Sequence, residues 1–151
     1  MQNTDQLDRL DRNILAALAR EGRLSMSELA DKVGLSKTPV QARVRRLERD
    51  GYIRGYAALI DRERMGEGHI AFVQVKLSDT RSAALDAFNR AVQGVAEIEQ
   101  CHMMAASFDY LLKVRTKDIG AYRRVLGERI SALPHVAQTS TFVAMETVKD
   151  R

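Results

Sequence analysis

The apolar positions of the chain fall into two rhythms, and the change between them divides it. From Leu7 to Leu18, the residues Leu7, Leu10, Ile14, Leu15 and Leu18 recur three and four apart, the spacing of one helical face. Asp8 is placed to cap this helix, and Gly22 follows its end. In "SMSELADKVG", Ser25 and Glu28 have capping-box spacing, Leu29 and Val33 share a face, and Gly34 stands at the exit. The next segment, "LSKTPVQARVRRLERDGYI" from Leu35 to Ile53, predicts a third helix with Ser36 as N-cap and Gly51 at its end. Pro39 falls in the first turn, where its missing N–H has no intrahelical partner. Val40, Val44 and Leu47, spaced i, i+4, i+7, form the inner stripe. Two short helices joined by about three residues are the helix-turn-helix arrangement.

After Gly51, "YIRGYAALID" reads as one or two extended pieces around Gly55, either a small wing or an interdomain strand. "DRERMGEG", Asp61 to Gly68, is a polar, glycine-containing break. Beyond it the rhythm alternates. His69–Leu77 predicts a strand, Ser82–Val92 a helix with Leu85, Phe88 and Val92 inward, and Val95–Ala105 and Tyr110–Thr116 strands around a turn at "ASFD". Ile119–Leu133 predicts a helix with Tyr122, Leu126 and Ile130 on one face, and His135–Val148 a last strand. The order βαββαβ is that of a ferredoxin-like sandwich. The expected fold class is α+β: a winged or plain helix-turn-helix domain over 1–52, a linker strand and hinge over 53–67, and the sandwich over 68–151.

Charge sharpens this picture. The segment 36–54 holds six basic and two acidic side chains, and that excess of four equals the net charge of the whole 151-residue chain. A positive field confined to these 19 residues points to an anionic partner, nucleic acid first. At about 100° per residue, Thr38, Ala42, Arg45 and Arg49 fall opposite the stripe, flanked by Gln41 and Arg46. That face is free to enter a major groove, with small or polar early positions near base edges and arginines reaching guanines or phosphates. The candidate DNA-binding residues are Ser36, Lys37, Thr38, Pro39, Gln41, Arg43, Arg45, Arg46 and Arg49. A solvated basic helix is the bland alternative. No apolar run is long enough to span a bilayer, so no membrane partner is expected. The polar, acidic start "MQNTDQLDRLDRN" reads as a mature cytoplasmic terminus. The single cysteine, Cys101, excludes an internal disulfide framework.

Little points to an enzyme. Cys101 and His102 are neighbours in a predicted strand, so their side chains leave opposite faces and do not pair. His69, His102 and His135 lack metal-ligand spacing, and no glycine-rich phosphate loop occurs. No catalytic residue, metal or cofactor is expected. Asp109, in "SFDYLL", has two readings: turn chemistry, bonding local backbone, or a carboxylate at a ligand-binding edge. Recognition of RNA on the sheet would need stacking aromatics on the central strands, and "YLLKVRT" offers only Tyr110.

The order of these features resembles the Lrp/AsnC family of feast/famine regulators over about Leu7 to Lys149. The resemblance rests on "LDRLDRNILAAL", "GRLSMSELADKVGLSKTPVQARVRRLERDGYIRGYAALID", "FDYLLKV", "LPHVAQTST" and "ETVK". It implies a cytoplasmic, nucleoid-associated transcription factor whose helix-turn-helix binds double-stranded DNA and whose sandwich dimerises and binds a free amino acid. It further implies assembly of dimers to an octamer, with the effector cleft between sandwiches of neighbouring dimers. Carried over, the cleft takes in Met103, Ala105, Ala106, Ser107, Phe108, Asp109, Ile119, Phe142, Val143 and Ala144. Ala106 stands where many family members have a glycine that lets backbone approach a small zwitterion. The stretch "CHMMAASFDYLLKVRTKDI" looks most like proline- and leucine-responsive branches, proline favoured. The alternative function is an architectural protein that assembles and wraps DNA without effector.

Overall fold

A computed structural model describes residues 7–150. The chain separates into two compact units between Leu59 and Ile60, inside the stretch 53–67 read as a linker.

The first unit holds three helices, α1 (Arg9–Arg20), α2 (Met26–Val33) and α3 (Lys37–Arg49). Asp8 and Asp11 close a capping box at α1: the Asp11 N–H donates to Asp8 Oδ1 at 2.8 Å, and the Asp8 N–H to Asp11 Oδ2 at 3.2 Å. Ser25 and Glu28 do the same at α2, and Gly34 takes the left-handed conformation that ends it (φ 73°). Ser36 occupies the N-cap of α3, yet its hydroxyl makes no capping bond. The reason is Pro39 at the third helical position, which has no N–H to offer. Val40, Val44 and Leu47 are buried against Ile14, Leu18, Leu24, Leu29 and Ala30, as the stripe requires. The segment 54–60 forms no strand, because among the described residues nothing supplies it with a partner ladder.

In the second unit, β1 (His69–Leu77), α4 (Ser82–Val92), β2 (Ile98–Met103), β3 (Tyr110–Thr116), α5 (Ile119–Val125) and β4 (Val136–Val143) follow in the expected βαββαβ order. The sheet order is β2-β3-β1-β4, antiparallel throughout. Helix α5 continues into a wider π-helical turn, Leu126–Ile130, where the Ser131 N–H reaches the Leu126 carbonyl. One sheet face carries the core: Ala71, Val73, Val75, Leu112 and Val114 pack with Phe88 and Val92 of α4 and Tyr122 of α5. The other face carries Phe72, cross-strand neighbour of Phe142, and both rings are exposed. On that face Phe72 and Phe142 stand beside Lys113, the β3 neighbour of Phe72, and among the described residues no helix covers the two rings.

Candidate nucleic-acid interface and effector turn

Helix α3 is fastened to α1 by charge as well as by its stripe. Arg43 Nη1 donates to Asp8 Oδ2 at 2.7 Å and to Asp11 Oδ1 at 2.8 Å, and Arg46 Nη2 lies 2.5 Å from Asp11 Oδ2. Asp11 is 1% exposed. A buried carboxylate is tolerated only when paired, and stripping one partner from a buried ion pair costs about 3–5 kcal/mol. The Asp11 backbone N–H, and then the Arg43 guanidinium, hold the Asp8 carboxyl below its ordinary value. The same bonds, to Asp8 first and Asp11 second, raise that of Arg43.

The nine candidate residues therefore divide. Arg43, counted with the basic segment, and Arg46, placed by helical angle at the flank of the DNA face, both turn onto Asp11 instead. Ser36, Lys37, Thr38, Pro39 and Arg45 are exposed, with Gln41 half-buried beside them. Arg45 has no intramolecular partner among the described residues, while Arg49 meets only its exposed neighbour Asp50 at 2.9 Å. Thr38, Ala42, Arg45 and Arg49 form a free face opposite the docking stripe, of a size and polarity that suits a major groove. Asp11 escaped the sequence reading, although a signal for it exists. Leu7, Asp11, Ile14 and Leu18 are spaced four, three and four, which puts an acid on the buried stripe and demands a cationic partner.

The turn between β2 and β3 is built around Asp109. Its carboxylate Oδ2 accepts the Leu77 N–H at 2.7 Å, its N–H donates to the Val75 carbonyl at 2.9 Å, and its carbonyl accepts from the Met104 N–H at 2.9 Å. Leu77 lies two residues beyond Val75, where the β1–β3 pairing ends, so the carboxylate satisfies an N–H that the ladder leaves without a backbone acceptor. Ala105, Ala106 and Ser107 stand exposed at the tip, with Phe108 half-buried.

The ten candidate effector residues do not converge within one copy of the chain. The turn Met103–Asp109 abuts the end of β1, at Val75 and Leu77. Phe142 and Val143 pair with Phe72 and Ala71 near its start, and the Ala144 N–H bonds the Ile70 carbonyl. Ile119 follows Thr116, itself paired with His69 at that same start. Val75 and Ile70 are five residues apart along β1, roughly 17 Å at about 3.4 Å per residue. That exceeds the length of any free amino acid. Phe142 and Val143, as strand neighbours, also leave opposite faces.

Cys101 packs against the core, where burial pushes its thiol up. His102 is exposed on the other face, with its ring nitrogen 3.5 Å from Gln100 Oε1. Among the described residues, no three His, Cys, Asp or Glu side chains cluster to hold a metal.

Residues 7–54 match a family described as winged helix-turn-helix DNA-binding. Residues 70–151 match the Lrp/AsnC ligand binding domain. The chain belongs to the Lrp/AsnC family. It is a transcriptional regulator of that family, with a DNA-binding helix-turn-helix. It is 57% identical to the proline dehydrogenase transcriptional activator of Rhizobium radiobacter, over 97% of this chain and 94% of that one. It is 48% identical to the leucine-responsive regulatory protein of Escherichia coli, over 95% and 87%. A Neisseria meningitidis transcriptional regulator solved in complex with L-methionine superposes with a TM-score of 0.89 at 29% identity, covering 96% of this chain and 94% of that one.

Proposed function

We propose that this Lrp/AsnC regulator binds sequence-specific DNA through the outward face of α3 and that its DNA binding responds to a free amino acid, proline favoured and leucine next. The free face of α3, backed by a buried stripe, carries the DNA half of the reading. Lys37, Thr38, Gln41, Arg45 and Arg49 are its contacts. The relatives named for proline dehydrogenase activation and for leucine response support the effector half. The reading assigns the chain no catalysis.

The separation of the two effector groups along β1 gives the site its form. One amino acid spans the turn of one copy and the β4 end or α5 start of another, so the cleft lies between copies of the chain. The bare centre of the sheet, Phe72 and Phe142, supplies a self-complementary surface for a dimer, and dimers assemble further to an octamer. A two-fold pair of α3 helices then demands a roughly palindromic site.

The test is a thermal-shift panel of the proteinogenic amino acids on the full chain, followed by DNA titration with each amino acid that binds. A ligand of the folded assembly at a hundred times its Kd stabilises by about 2.7 kcal/mol. Proline is expected to raise the melting temperature most and to change DNA affinity. If no amino acid shifts it, the architectural reading, DNA wrapping without effector, replaces this one.

A further inference from the structure

We infer that Asp11 and Asp8 form a charge gate that decides which arginines of α3 meet DNA. This rests on α3 being the reading helix. Two carboxylates of α1 face two guanidiniums of α3, so the quartet Asp8–Asp11–Arg43–Arg46 is neutral as a whole. Asp11 takes one guanidinium on each oxygen, Arg43 on Oδ1 and Arg46 on Oδ2. Arg43 is held a second time by Asp8. A phosphate approaching either arginine must compete with a carboxylate already in contact. It also meets the charge of Asp8, whose side chain is 49% exposed. The edge of α3 nearest α1 is thereby closed to the DNA backbone. Phosphate contact is left to Lys37, Arg45 and Arg49, and bases to the residues between them.

The consequence for specificity is physical. Phosphate contacts add affinity to every sequence alike, while base contacts discriminate. A helix with every cation free would bind any duplex strongly and compress the ratio between its site and other DNA. Two carboxylates that cancel Arg43 and Arg46 keep the non-specific term low and fix one docking register. Asp11 and Asp8 act on DNA through other side chains, so they are positioning residues.

Salt dependence reads this directly, because each phosphate contact contributes about 0.9 to the slope of log K against log salt. The full chain is titrated against two duplexes, a mixed-sequence one and one selected by the protein from a randomised library. Asp8→Asn is the informative variant, since asparagine caps a helix as well as aspartate does while one negative charge is lost. Asp11→Asn repeats the change at the buried position, with thermal unfolding as a check on its fold. Expected for Asp8→Asn are a slope steeper by about one for each protomer bound, tighter binding to the mixed duplex and a lower ratio between the two. Arg43→Gln, checked by thermal unfolding because it strips a partner from Asp11, is expected to leave the slope unchanged, and Arg45→Gln to flatten it by about one for each protomer bound. The gate is overturned if Asp8→Asn leaves slope and ratio unchanged, or if Arg43→Gln flattens the slope as Arg45→Gln does. If Arg45→Gln has no effect, it is the placement of α3 that fails, whatever the acidic variants do.

Discussion

Replacing Asp109 separates a turn brace from a ligand contact. In Asp109→Ala, the Leu77 N–H loses its acceptor at 2.7 Å. Leu77 is 5% exposed, so water reaches it poorly. A hydrogen bond to a charged acceptor contributes about 1.5–3 kcal/mol, and an unsatisfied buried donor costs about 1–3 kcal/mol. The two describe one event, so the expected loss is about 2–3 kcal/mol in the second unit. Asp109→Asn keeps an acceptor oxygen there and should lose about 1 kcal/mol or less. Urea unfolding of both variants, with the slope against denaturant checked for constancy, measures the difference. The effector response should follow the brace: Asp109→Ala abolishes it and leaves DNA binding without effector nearly intact, and Asp109→Asn retains it. A loss below about 0.5 kcal/mol in the alanine variant, the range of ordinary surface substitutions, would refute the brace. Loss of response in the stable asparagine variant would show that the carboxylate meets the ammonium itself.

Three further outcomes are expected. Phe142→Glu places a charge beside Phe72 on the bare sheet face, where burying a phenylalanine is worth about 1.5–3 kcal/mol; light scattering should report a smaller species, and an unchanged mass would reject this face as the dimer surface. Ala106→Gly restores close backbone approach at the turn tip and should preserve or strengthen proline binding in calorimetric titration; weaker binding would move the site away from this tip. Tyr56 donates its hydroxyl to Glu48 Oε1 at 2.8 Å, and burial together with that bond pushes its phenol up to about 12. Its folded value is raised, so the stability it contributes is whole below the ordinary value of 10.0 and is lost as pH rises through about 12. Carbon NMR of labelled tyrosine should find this late midpoint and see it fall in Glu48→Gln; a midpoint that ignores Glu48 would contradict the bond.

What the sequence made legible was set by how local the governing physics is. β1, α4 and β3 have the predicted limits, because alternation or a continuous apolar face runs to each end. The strand expected over Val95–Ala105 shrank to Ile98–Met103. The Gly94 and Val95 N–H groups turn back to the carbonyls of Ala91 and Val92, so the chain is still leaving α4. The strand expected over His135–Val148 stops at Val143. Beyond the Ala144 bond to Ile70 the chain passes the start of β1, and among the described residues no strand is left to pair with. The predicted helix Ile119–Leu133 widens to a π-helical turn that periodicity does not encode. At the DNA face, helical spacing separated Val40, Val44 and Leu47 from Arg45 correctly, since both follow from one helix alone. The destination of Arg43 and Arg46 depended on a carboxylate more than thirty positions away in sequence, which no reading confined to α3 contains. For the effector site, the resemblance supplied residues, whereas their separation along β1 required the sheet register.

The central claim is that the outward face of α3 reads DNA. Its most direct test is the affinity of Arg45→Ala and Gln41→Ala, titrated across salt against a duplex selected by the wild-type chain. A lost phosphate contact would weaken binding to all sequences alike and flatten the salt slope by about one for each protomer bound, and a lost base contact would cost roughly 1–3 kcal/mol and relax specificity. Arg45→Ala is expected to show one of these signatures, and Gln41→Ala the second. Wild-type affinity and slope in both variants would contradict the account.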